Sequence, residues 1–507
     1  MQTNKTCTKS CLSRLGRSSL RSASPKQEAK TGCPFSMNRR SFLTTAGAMA
    51  VATKIGLLDF ASSLYAAQTK PSRKPRIQAV FARPKIEKYW MGWPGAAYDI
   101  KARQRQYTKI LTSAAKKFGV QLDVRSEPLD SDNAVSAYLE QLKKAPPDGL
   151  VVTCMCLHHG TSGSWPHVNN IAKNRGSIPT IVFSPMGTSF TGHLQGTRNI
   201  DGVFTAATQD LNWLTFGMRM MKTIWEMKNT RICIIAGNKT EDRKLDVIGT
   251  TLHYIPRKRF PEEFNKAKTT SEMRDIADYY TKQAKKIVEP NRQDILNAAK
   301  SYVVAKRIMA AENCQGISMD CLGLIGSRLV PCPPCIAWLR LNDEGSVGCC
   351  EADWNAAISL RLTSLLCNRP GFMQDPAPNT TRNTLMGAHC SCPTKLDGFD
   401  KSPEPLILRN HSESTLGVSP QVLWRIGQKV TIMEFNGPDK IILGTGRVLR
   451  NIETPPAGGC RTSVEIELDD VADCRDTKGF HQLFLYGDLE LPLKAYCQLA
   501  GIKVEHI

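Results

Sequence analysis

The sequence predicts an α/β protein: two doubly wound α/β domains followed by a C-terminal mixed domain with an antiparallel, barrel-like β part. Three observations carry that expectation. Strands and helices alternate from Arg76 onward, and strands such as Gly149-Leu150-Val151-Val152-Thr153 show no polar alternation, as in a parallel sheet covered on both faces. The alternation restarts at Arg231 after a long helical stretch. Beyond His389 the pattern turns to period two, with Val464, Ile466 and Leu468 alternating with Glu465, Glu467 and Asp469. A chain of 507 residues is too long for one core, so two or three domains are expected, with boundaries at 68–228, 229–348 and 349–507.

The chain opens on residues 1–36, rich in Ser, Lys and Arg without periodicity, which read as an unstructured leader or an overextended start, with Met37 as the alternative first residue. Residues 37–67 read as a twin-arginine export signal: Arg39-Arg40 precede a mildly apolar run, Thr44 to Ala61, and a small-residue end at Ala66-Ala67. Lys54 and Asp59 make that run too polar and too short for a stable membrane span. The expected location is periplasmic or extracellular, reached through the twin-arginine translocase.

In the first domain, strands are expected at Ile77–Phe81, Val120–Val124, Gly149–Thr153 and Ile178–Phe183, with helices at Tyr107–Phe118 and Ala134–Leu142. The loop His158-His159-Gly160 would lie along the carboxyl edge of the sheet, where ligands bind in such folds, although a solvated loop is the plainer reading. A helix from Trp213 to Met227 leads to the strand Arg231–Gly237, whose following loop lacks GxGxxG spacing and so gives a dinucleotide no support. Helices are expected at Met273–Val288 and Arg292–Ala311, a strand at Gly316–Cys321 and a turn at Leu341–Gly345. Glu312 and Asp320 read as helix-end and strand-end residues. In the last domain, strands are expected at Lys429–Phe435, Lys440–Leu449 and Arg461–Asp469, and a helix at Leu489–Leu499 with Gly501 beyond it. Gly/Pro-rich turns at 436–438 and 455–459 separate the strands.

Net charge is +21, of which the first 67 residues hold +8, from ten Lys/Arg against two Asp/Glu. The rest is spread without a long basic block or aromatic interleaving, so nucleic acid is not an expected partner. Fifteen cysteines follow Ala67, an odd number. Cys332-Pro333-Pro334-Cys335, Cys390-Ser391-Cys392 and Cys349-Cys350 have no zinc-ribbon spacing, and buried inert thiols are the favoured reading.

The stretch from Cys349 to Cys392 concentrates candidate chemistry. Glu351 and Asp353 precede a helical run through Trp354, Ile358, Leu362 and Leu365, which Asn368-Arg369-Pro370-Gly371 stops. A short apolar run then ends at Asp375, and Leu385-Met386 runs into Gly387-Ala388-His389. Carboxylates and an imidazole at element ends suit a divalent cation such as Mn²⁺ with open positions. On spacing alone, helix capping by Glu351 and Asp353 and a turn at Asp375-Pro376 account for these residues equally well.

This stretch resembles the catalytic segment of the L-fucose isomerase family and, at Leu385-Met386-Gly387-Ala388-His389, that of the related L-arabinose isomerases. In the fucose isomerases, a Glu followed by a helix and an Asp closing the next strand bind Mn²⁺ and move the proton. Glu351 and Asp375 fall where that pattern puts them. His389 stands where the arabinose isomerases have a ligand that fucose isomerases lack, so the chain combines the two patterns. The last ligand in both families is a His near the C-terminus, matched here by His481 in Gly479-Phe480-His481-Gln482-Leu483. The likeness covers most of the chain after the export signal but is motif-specific only over the last third.

The resemblance implies a metal-dependent aldose–ketose isomerase acting on a free sugar such as L-fucose or L-arabinose. It makes 349–507 the catalytic, metal-binding domain. Glu351 and Asp375 would be the acid/base pair, and Glu351, Asp375, His389 and His481 would hold Mn²⁺ or another divalent cation. A homo-oligomer, trimer or hexamer, is implied as well. His411, in a polar loop, reads either as a substrate contact or as a solvated loop residue. The alternatives are an exported sugar-binding protein of the same fold without turnover, and a metal-dependent hydrolase.

Overall fold

The computed structural model describes residues 73–90, 97–157, 163–454 and 459–507. The leader, the export signal, the His158-His159-Gly160 loop and residues 455–458 lie outside the described residues. Three sheets carry the architecture.

The first is a parallel sheet of β1 (Arg76–Ala82), β2 (Gln121–Val124), β3 (Gly149–Cys154), β4 (Thr180–Ser184) and β5 (Val203–Ala207) in the order β2-β1-β3-β4-β5. β3 and β4 are buried along their whole length, which explains their unbroken apolar runs. Val80, Val152 and Val182 on one face pack with Val135, Tyr138, Val168 and Ile171, from the helices α1 (Asp132–Lys144) and α2 (Ser164–Asn174). Helix α3 (Asn212–Lys228) then leads into the second sheet.

That sheet contains β6 (Arg231–Ile235), β7 (Glu241–Lys244), β8 (Thr251–Ile255), β9 (Gly316–Met319) and β10 (Val347–Cys350), ordered β10-β9-β6-β8-β7. All pairs are parallel except β7 with β8. β7 is exposed throughout, as its sequence Glu-Asp-Arg-Lys suits for an edge. Helix α4 (Arg292–Ala311) has the expected bounds, and Glu312 caps its end. Asp320 follows β9 and caps a short helix by accepting the N–H of Gly323 at 3.1 Å.

Two expectations change here. The helix expected over Met273–Val288 stops at Gln283. The next residues pair as a strand, Lys286–Ile287, with Leu406–Arg409, and Lys285 N–H and Val288 N–H donate to Leu406 and Leu408 carbonyls. Tertiary pairing overrides the helical period there. The expected turn at Leu341–Gly345 is mostly helix: α5 (Cys335–Asp343) includes Leu341–Asp343, and Gly345 at φ 79° breaks it.

The third sheet closes on itself. β11 (Phe372–Asn379), β12 (Thr384–His389), β13 (Lys429–Phe435), β14 (Lys440–Asn451), β15 (Thr462–Leu468) and β16 (Gln482–Tyr486) run antiparallel as β13-β16-β11-β12-β15-β14, and β14 pairs back to β13. β17 (Lys503–His506) adds to β14 in parallel. The α/β domains and the antiparallel barrel match the fold class read from the sequence. β15 departs from simple in–out alternation, because Glu465 is fully buried and accepts from Thr384 Oγ1 at 2.6 Å and from Arg450.

Helix α6 (Trp354–Cys367) links the second sheet to the barrel, touching β9 and β10 on one side and β13 and β16 on the other. Phe435 N–H donates to Ser359 Oγ at 2.8 Å and Gly437 N–H to Asn355 Oδ1 at 3.1 Å, tying helix to barrel. All described residues fall in one compact unit, and no helix among them is long and apolar enough to cross a membrane.

Candidate metal centre

Four chain segments converge at the carboxyl end of β10. Glu351 and Ala352 follow this strand in left-handed conformations, at φ 61° and 55°, and that turn swings the chain from the sheet into α6. Asp353 is the N-cap of α6, accepting the Ala356 N–H at 2.9 Å. Asn368, at φ 56°, ends the helix as expected.

Asp375 does not end its strand. β11 continues through Pro376 and Pro378 to Asn379. Residues 372–374 pair only with β16, and residues 375–379 only with β12. The two prolines sit two residues apart, so their missing N–H groups face one side, the side that β16 no longer covers. Asp375 is therefore the residue at which the strand exchanges partners. Gln374 opposes Gln482, which brings Asp375 level with His481, and Asp375 itself opposes Ala388, beside His389.

The side chains meet. His389 Nε2 lies 3.6 Å from Glu351 Oε1, His481 Nε2 lies 3.5 Å from Glu351 Oε2, and His481 Nε2 lies 3.2 Å from Asp375 Oδ1. The two imidazoles are nearly perpendicular, with centroids 5.8 Å apart. Ligands about 2.1 Å from one ion sit roughly 3.0–3.4 Å apart at octahedral or tetrahedral angles, close to these spacings.

A second observation fits a cation. Asp375 Oδ1, His389 Nε2 and His481 Nε2 are buried and have no hydrogen-bond partner among the described residues. Buried polar atoms are rarely left so, and here three point to one place. The residues thus fit a divalent cation, with two imidazole nitrogens and two carboxylates as donors.

Asp353 has a role that the sequence did not disclose. Its Oδ2 lies 2.6 Å from His481 Nδ1 while its Oδ1 caps α6. That is the carboxylate–imidazole arrangement that orients a ligating His and raises its basicity. Burial opposes the charge on His481, but Asp353, Asp375 and Glu351 prevail and raise its pKa to about 11. Glu351 is held well below the usual carboxylate range, first by His389 and then by His481. Without a cation, the His481 imidazolium is the positive charge among these carboxylates.

Four further neighbours complete the surroundings. Gly387 opposes Pro376, and a Cβ there would lie 2.4 Å from Phe484, which explains a glycine beside His389. Glu434 is buried near Asp353 and His481, and burial followed by the charge of Asp353 pushes its pKa up to about 7. Neither Glu434 nor Phe480 carries a sequence signal. Phe480 is 62 % exposed, with its ring 4.4 Å from the His481 imidazole. His411 is not in a solvated loop. It is only 3 % exposed, and burial followed by the nearby His389 and Arg461 lowers its pKa to about 4.

No protein-family model and no curated protein matches the chain. Among solved structures, the crystal structure of an ABC-type sugar transport system periplasmic component from Hahella chejuensis matches 48 % of this chain and 79 % of its own, at 15 % identity and a TM-score of 0.16. A superposition that loose speaks to neither fold nor chemistry.

Proposed function

We propose that the chain is a metal-dependent aldose–ketose isomerase acting on a free sugar such as L-fucose or L-arabinose. One observation carries the reading: Glu351, Asp375, His389 and His481 converge, and Asp375 Oδ1, His389 Nε2 and His481 Nε2 lie 3.2–3.6 Å from opposite charges without forming a hydrogen bond. This donor set would hold Mn²⁺ or a similar divalent cation. When bound, the cation would supply positive charge for the oxyanion that develops as a proton moves between C1 and C2.

The protein's own groups have distinct tasks. Glu351 and Asp375 are the partly exposed members, with 28 % and 38 % of their side chains accessible, so they face arriving substrate. Glu351 is kept ionised by the two imidazoles, so it meets substrate as a carboxylate. Asp375 presents Oδ1 to the same His481 Nε2, at 3.2 Å, and would be the second carboxylate of the acid/base pair. Asp353 holds His481 in register through Nδ1, leaving Nε2 directed at the centre.

The reading includes export by the twin-arginine route, resting on the sequence, and assembly as a homo-oligomer, resting on the family resemblance. Its test is metal analysis of the purified full chain, followed by a panel of aldoses assayed for ketose. Metal bound with ketose formed from one aldose supports it. Metal bound with sugar affinity but no ketose from any aldose would overturn turnover in favour of a binding protein.

A further inference from the structure

We propose that Cys335, Cys390 and His411 form a second cation site, for a thiophilic ion such as Zn²⁺ or Cu⁺, behind the carboxylate–imidazole cluster. One ligand atom from each lies within 4.8 Å of the other two. The residues come from three distant places: the first turn of α5, the residue after β12, and the turn following Leu406–Arg409. All three are buried, at 1 %, 6 % and 3 % exposure, and both cysteines are free thiols.

Two buried thiols and a buried imidazole together make a donor set that a soft cation takes. The His411 ring is held in place by its own turn. Nδ1 lies 3.0 Å from Ser414 Oγ, and the His411 carbonyl accepts the Thr415 N–H at 2.8 Å. Ser414 N–H also donates to Nδ1, at 3.3 Å, so the turn fixes the orientation of the ring. Cys335 opens the nine-residue helix α5, and burial pushes its thiol up to about 11, so a cation bound there must displace the proton. Ser419 Oγ donates to the Cys390 carbonyl at 2.9 Å and so fixes the backbone between the two sites.

The donor types separate the sites. Two thiolates and an imidazole select Zn²⁺ or Cu⁺, whereas the carboxylate-rich cluster suits a harder ion. Between them stands His389, with Nε2 facing Glu351 and Nδ1 3.6 Å from Cys390 Sγ. Cys350 forms an overlapping group with His389 and Cys390, so Cys390 belongs to both clusters. The Cys332-Pro333-Pro334-Cys335 motif is thus not itself the chelating pair, because Cys335 pairs with Cys390 instead.

The experiment uses the full chain stripped of metal. Co²⁺ serves as the optical probe for Zn²⁺, and Cu⁺ is tested by competition with bicinchoninate. A thiolate-to-cobalt charge-transfer band that saturates at one equivalent and is displaced by Zn²⁺ supports a zinc site. Retention of one Cu⁺ without that band supports a copper site. Cys335→Ser and His411→Gln should each weaken binding by at least the roughly 10–100-fold that even outer partners of a metal contribute. Glu351→Gln should leave the band in place. Wild-type protein with neither a thiolate band nor retained Cu⁺ would overturn the proposal, whether or not the variants fold. A band untouched in folded Cys335→Ser and His411→Gln would also overturn it.

Discussion

Asp353 grips two structures at once: one carboxylate oxygen accepts the Ala356 N–H at 2.9 Å, and the other lies 2.6 Å from His481 Nδ1. Helix start and candidate ligand are thereby joined through one side chain. Asp353→Ala should lower divalent-cation affinity by about 10–100-fold and cost about 1 kcal/mol of stability in the lost cap. Asp353→Ser should restore much of the stability and little of the affinity, because a serine can cap the helix but cannot reach a ring so placed. Calorimetric cation titration and denaturant unfolding of the two variants separate the effects.

Glu351→Gln should reduce the proposed isomerase activity by at least roughly 10²–10⁴-fold, the contribution of general acid–base catalysis. Exchange of the C2 hydrogen of a bound sugar with solvent should vanish with it, since both need the same proton transfer. The fold should survive, because Gln tolerates the surroundings and the backbone turn at φ 61° is unchanged. A folded Glu351→Gln protein that still forms ketose would remove Glu351 from the chemistry.

Cation binding should strengthen as pH rises. In the metal-free protein, His481 has a pKa near 11, above the unperturbed value of about 6.5, so its ring carries a proton at neutral pH. That proton stabilises the metal-free fold fully below about pH 6.5, and the contribution is lost as pH rises through about 11. A cation ligated by Nε2 must displace it, so apparent affinity should rise roughly tenfold per pH unit above neutrality, with about one proton released per ion. Titrations in two buffers of different ionisation enthalpy measure that release. A flat profile with no proton released would exclude Nε2 as a ligand.

Replacing both Arg39 and Arg40 with Lys should trap the precursor in the cytoplasm, read by fractionation and blotting. Normal export of that double variant would overturn the twin-arginine assignment.

The fold was legible because its periods are. Arg292–Ala311 and Lys429–Phe435 coincide with their expected bounds, and the βα alternation announced both parallel sheets. Where the expectations failed, distant chain intervened. Lys286–Ile287 left its helix for a strand more than a hundred residues away. Pro376 looked like a stop because a sequence cannot show that one side of β11 is unpaired there. Glu351, Asp375, His389 and His481 could be nominated one at a time, each at or near an element end, but their meeting depends on barrel register. Asp353 was readable only as a cap, since its second partner lies 128 residues ahead. His411 was obscured by its polar neighbours Asn410, Ser412 and Glu413, which concealed its burial.

That separation of 128 residues also bears on the order of assembly. Contacts between distant parts of a chain form late, because a long loop must close before they stabilise anything. His481 immediately precedes β16, whose pairing with β13 and β11 completes the ring. The full ligand set therefore exists only after the barrel has closed, near the end of folding. Divalent cation should leave the refolding rate almost unchanged and slow unfolding instead, acting as a latch on a finished structure.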